Sequence, residues 1–113
     1  MPKKLRSKRS RASDIKPTTA KVVKLRDRAC ILCGSGYHIE LHHHISRGRG
    51  GMGVKENVVC LCKQCHMDLH SSTRSGQYRK GVENYLKLKY PNWKKENVIY
   101  NKKVCYNKKR RTV

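Results

Sequence analysis

The chain has 113 residues, with 28 Lys and Arg against 7 Asp and Glu, a net charge of +21, 6 Cys and no Phe. At this length one domain plus tails is expected, and with so few aromatic side chains it cannot build a large core, so a metal or disulfide staple is needed. No apolar run approaches the roughly 20 residues that span a bilayer, and no apolar stretch follows the basic N-terminus as in a signal peptide, so a cytoplasmic protein with free thiols is expected.

The charge is unevenly placed. Residues 1–28 carry 11 basic and 2 acidic groups, residues 71–113 carry 13 and 2, and residues 29–70 between them carry 4 and 3. A near-neutral centre between two cationic wings is the footprint expected of a nucleic-acid partner, because Lys and Arg displace counterions condensed on phosphates.

In chain order, residues 1–17 have no periodicity and read as a disordered basic arm. Thr18 and Thr19 can cap a helix reaching about Arg28, with Val22, Val23 and Leu25 as its weak apolar side. Cys30-Ile-Leu-Cys33-Gly34 reads as a metal knuckle, its glycine permitting the tight turn. Residues 38–45 (HIELHHHI) read as a strand with Ile39, Leu41 and His43 on one side. Residues 46–56 form a glycine-rich loop closed by Asn57. Val58 and Val59 start a second strand, and 63–70 is a helix launched from a second knuckle. Tyr78 to about Tyr90 reads as an amphipathic helix with Val82, Tyr85, Leu86 and Lys89 near helical spacing, stopped by Pro91. The domain is expected over 18–100, with its core at 30–70 and a basic tail at 101–113.

Cys30-x-x-Cys33 and Cys62-x-x-Cys65 together offer a tetrahedral thiolate cage for a structural zinc ion. Cys60-x-Cys62 leaves an alternative ligand open, but Cys62 has the cleaner spacing to Cys65, and Cys60 then becomes a small buried apolar residue. Cys105 reads as unpaired. A different ligand set follows. His66 and His70 are four apart, so a helix puts both imidazoles on one face, able to share an ion. His43 on the first strand can supply a third. Three protein ligands with the remaining positions open mark a catalytic metal site.

The adjacent histidines before Ile45, the glycine loop, Asn57 and the ending Cys62-x-x-Cys65-His66-x-x-x-His70 resemble the HNH nuclease family. The resemblance covers roughly Cys30 to His70. It implies a small α+β fold, the ββα-metal core, stapled by the four-cysteine zinc. By position it implies that His43, His66 and His70 bind the catalytic ion, that His44 is the general base, and that Asn57 tethers the loop. Three consecutive histidines allow two registers: His43–His44, which the following Ile45 favours, or His42–His43. The implied activity is metal-dependent hydrolysis of DNA phosphodiesters, by nicking or double-strand cutting, leaving a 5′-phosphate and a 3′-hydroxyl. Mg²⁺ or Mn²⁺ is the expected ion, and an all-nitrogen site extends this to Ni²⁺ or Zn²⁺.

Arg47 and Arg49 are candidates for gripping a phosphate near the scissile bond. Lys87, Lys89, Lys94 and Lys95 are candidates for following the DNA backbone. Compact members of this kind resemble those encoded by phages and prophages, so packaging proteins or a second copy of the chain are the expected partners besides DNA. A non-catalytic zinc module that only binds nucleic acid is the alternative. It accounts for the charge and the cysteines but leaves the histidines and Asn57 without a purpose.

Overall fold

The structure, a computed structural model, describes residues 6–71 and 73–101. Most of the expected basic tail, together with Cys105, lies outside the described residues. Among the described residues no helix is long and apolar enough to cross a membrane.

The fold is organised around one strand. Strand β2 (Val58–Cys62, VVCLC) is buried along its whole length. A continuous apolar run is what a strand covered on both faces requires. Its side chains alternate between two clusters. Val58 and Cys60 pack with Val23 of helix α2 (Pro17–Asp27), while Val59 and Leu61 pack with Leu69, Val82 and Leu86. Those last three come from helices α3 (Lys63–Ser71) and α4 (Ser75–Lys89). Cys60 is thus a buried core residue, as its place in the sequence suggested.

Strand β1 (Ile39–His43) pairs antiparallel with β2, in the register Leu41↔Cys60, His42↔Val59, His43↔Val58. Residues directly opposite in an antiparallel pair share a face of the sheet. His42 therefore faces the α3–α4 side with Val59, and His43 faces the α2 side with Val58. That single alternation decides the composition of the site below.

A buried ionic network ties α2 to the rest. Asp27 accepts from the Cys60 backbone N–H at 2.9 Å, from the Tyr85 hydroxyl, and from Arg26 Nη2 at 2.9 Å. Arg26 also donates to the carbonyls of Lys55 and Val58, both at 2.7 Å, and to the Tyr90 hydroxyl at 3.0 Å. Burial, then the neighbouring Asp27 charge, pushes the Tyr85 hydroxyl up to about 12.

Two elements differ from the sequence reading. The segment expected to be a disordered arm is described from Arg6 onward as a short helix, α1 (Lys8–Ala12), capped by the Ser7 side chain accepting from Ser10 N–H. It docks on the glycine loop: Gly53 N–H donates to the Ala12 carbonyl at 2.9 Å, and Arg9 Nη2 donates to the Gly48 carbonyl at 2.9 Å. The contact is close enough that a Cβ on Gly53 would lie 2.1 Å from the Asp14 carbonyl oxygen. Backbone pairing of this kind leaves no apolar period to read. Helix α2, in turn, starts at Pro17 in its first turn, with no side-chain cap from Thr18 or Thr19. A proline there is preset for a helix and needs no donor.

Candidate metal centres and active site

The first cluster joins the knuckle after α2 to the junction of β2 and α3. The Sγ atoms of Cys30, Cys33, Cys62 and Cys65 all lie within 4.8 Å of one another. Cys33 Sγ and Cys62 Sγ are 3.6 Å apart. A zinc ion with bonds of about 2.3 Å to each sulfur needs tetrahedral edges of about 3.8 Å, so the cluster fits zinc. The turn is closed by Gly34 N–H donating to the Cys30 carbonyl at 2.9 Å, with Gly34 at φ 81°, a conformation suited to glycine. Burial would raise the Cys30 thiol, but backbone hydrogen bonds from Cys62, Cys33 and Leu32 bring it down to about 7, toward the thiolate that metal binding uses.

The second cluster consists of His42, His66 and His70, with ligand nitrogens also within 4.8 Å of one another. Each has a distinct reason to be there. His66 and His70 share one face of α3 through their spacing of four. His42 comes from β1 on the face turned to α3. Its Nε2 is buried and has no hydrogen-bond partner. A buried acceptor left unpaired is costly, and a coordinated cation would satisfy it. Burial, then the charges of His66, His70, His44 and Arg79, holds the His42 imidazole down to about 3, so it is neutral and ready to ligate at physiological pH. Glu40, two residues earlier on the same face of β1, places Oε1 2.8 Å from His66 Nδ1. That contact assigns the His66 proton to Nδ1 and leaves Nε2 for a metal. These residues fit a divalent cation.

His43 was expected in this trio, and the structure does not bring it there. It lies on the other face of β1, where its Nε2 donates to the Ser13 carbonyl at 2.7 Å. A carbonyl oxygen only accepts, so Nε2 carries the proton and Nδ1 keeps its lone pair. His44, the expected base, is buried with Nε2 3.5 Å from Glu83 Oε1 of α4, while its Nδ1 is buried without a partner. Burial lowers both His43 and His44 from the usual imidazole value, against the contacts with the Ser13 carbonyl and Glu83, which act to raise them. Asn57 is fully buried, and its side chain grips both ends of the loop. Oδ1 accepts from Ile45 N–H at 2.8 Å, and Nδ2 donates to the carbonyls of Ile45 at 3.1 Å and Met52 at 2.9 Å.

A cleft of about 440 Å³ opens over the second cluster, lined by His42, His43, His44, Arg49, His70 and Arg79 among others. A hollow of about 490 Å³ lined by Met52, Tyr90, Trp93 and Val98 contains none of the histidines. Of the expected phosphate contacts, Arg49 borders the cleft, but Arg47 is engaged with the Ser13 carbonyl at 3.2 Å and Asp14 Oδ1 at 3.0 Å. Lys87 lies 3.4 Å from Glu83 Oε2 and over Trp93, whose ring neighbours His44. Lys89 lies over Tyr85, Lys94 borders the hollow beside Trp93, and the charge of Lys95 reaches His44. The sequence reading missed Glu40 and Arg79. Glu40 could have been found from its same-face spacing to His42. Arg79 carried no such signal.

A two-stranded antiparallel hairpin followed by a helix, with imidazoles from strand and helix converging on one point and a thiolate cage at their junction, is the ββα-metal architecture. Residues 30–72 match the family model described as HNH endonuclease, and this segment is a domain of that family. Over 55 residues the chain is also 33% identical to the type IV methyl-directed restriction enzyme EcoKMcrA of Escherichia coli (strain K12), a match covering 49% of this chain and 17% of that protein.

Proposed function

We propose that the protein is a metal-dependent endonuclease acting on DNA. The observation that carries this reading is the convergence of His42, His66 and His70 on one point beneath an open cleft, with one imidazole nitrogen buried and unpaired. These three residues would hold the catalytic divalent cation, and the four cysteines a structural zinc. When bound, the cation would act as a Lewis acid toward a phosphate oxygen and offset charge on the departing 3′ oxygen.

The chain's own groups account for the remaining work. His43 borders the cleft, and the Ser13 carbonyl holds its tautomer so that Nδ1 is the acceptor. It takes the role of general base, removing a proton from the attacking water, in the register His42–His43. Asn57 fixes the loop that carries Ile45 and Arg49 past the cleft. The His44–Glu83 contact joins the end of β1 to α4. The cationic wings hold the polynucleotide without reading its bases.

Supercoiled plasmid incubated with Mg²⁺ or Mn²⁺ tests the reading. Nicking that disappears in His43→Ala, while both metal contents stay intact, is the expected result. Binding without cutting under any divalent metal would reduce the protein to a nucleic-acid-binding zinc module. Loss of cutting in His44→Ala but not in His43→Ala would return the base to His44.

A further inference from the structure

We infer that Arg79 is a phosphate ligand of the histidine cleft, its guanidinium holding a non-bridging oxygen of the phosphodiester that the cleft receives. The inference deepens the nuclease reading and rests on it. Arg79 lies outside the segment that matches the HNH family model, on α4.

Position comes first. Arg79 is exposed and lines the cleft together with His42, His44 and His70. It precedes Glu83 by four residues, so both share one face of α4, and Glu83 meets His44 on that face.

Pairing comes second. The neighbouring cations have anionic or carbonyl partners: Arg47 with Asp14, Lys87 with Glu83, Arg26 with Asp27. Among the described residues Arg79 forms no ion pair. An uncompensated cation beside imidazoles that ligate another cation opposes metal binding. The arrangement becomes favourable when an anion enters between them. A guanidinium fork matches two phosphate oxygens at once, which an ammonium does not. Arg49, from the loop after β1, borders the same cleft, so cations from two separate elements await the anion.

The test uses the full chain, loaded with zinc and Mn²⁺, and inorganic phosphate as probe, read by calorimetry. Single-turnover cleavage of an end-labelled duplex is measured alongside. Arg79→Ala should weaken phosphate binding by at least about tenfold and slow cleavage by about 100-fold, with metal uptake unchanged. Arg79→Lys should recover part of both. Phosphate affinity of Arg79→Ala within twofold of wild type overturns the inference, as does a wild-type protein that binds no phosphate at millimolar concentration. A wild-type protein that binds phosphate through Arg79 yet cuts no DNA supports the anion site and sinks the nuclease reading instead.

Discussion

Glu40 Oε1 lies 2.8 Å from His66 Nδ1, joining the first strand to the helix that follows the second. The carboxylate fixes the imidazole's tautomer and ring orientation, leaving the other nitrogen for a cation. Glu40→Ala should therefore lower divalent-metal affinity at the histidine site by about 10- to 100-fold while leaving the cysteine site loaded. Calorimetric titration of the zinc-loaded variant with Mn²⁺ checks this; unchanged affinity would make the contact a surface ion pair.

Asn57 is a structural residue that holds the loop bordering the histidine cleft. Replacing it by Ala strips partners from the Ile45 N–H and from the Ile45 and Met52 carbonyls. Each buried group left unpaired costs about 1–3 kcal/mol, so Asn57→Ala should be among the most destabilising single changes in the loop. Denaturant unfolding of the zinc-bound protein measures it. A loss below about 1 kcal/mol would show that water reaches these groups.

Asp27 has a side chain that is 0% exposed, and Arg26 beside it is 11% exposed. Removing the acid leaves an uncompensated, largely buried guanidinium. Asp27→Ala should cost about 3–5 kcal/mol, and Tyr85→Phe, which removes one hydroxyl from the same network, about 1 kcal/mol. Equal losses in the two variants would refute this ordering.

The two metal sites should separate under chelation. Mild EDTA is expected to strip the histidine site and stop cleavage with the circular dichroism unchanged, whereas removal of the thiolate-bound zinc should unfold the chain. One-step unfolding in mild EDTA would merge the two sites into one folding unit. Cleavage should also fall steeply between 50 and about 200 mM salt, since many phosphate contacts release counterions.

The fold class came through the family resemblance that the motifs carry, while the cysteine cage was legible from spacing, because a ligand pair with two residues between them reports local geometry that no distant contact alters. The helix-borne pair His66 and His70 was legible for the same reason. The strand-borne member of the cluster is His42, where the residue order around Ile45 had favoured His43. Yet the period of two already set His43 beside Ile39 and Leu41, and hence away from Glu40, His42 and His44. The pairing of β1 with β2 shows which of those faces meets α3. The docking of the N-terminal segment stayed invisible for another cause. It rests on carbonyls of Ala12 and Ser13 and on the missing side chain of Gly53, none of which has an apolar pattern.

The most direct measurement is the metal stoichiometry of His42→Ala and His43→Ala, each purified with its zinc cage intact and titrated with Co²⁺ or Mn²⁺. The expected result is that His42→Ala loses the second ion, while His43→Ala binds it within a few-fold of wild type and fails to cut DNA. A second ion retained by His42→Ala and lost by His43→Ala would contradict the assignment of His42, His66 and His70 to a common cation.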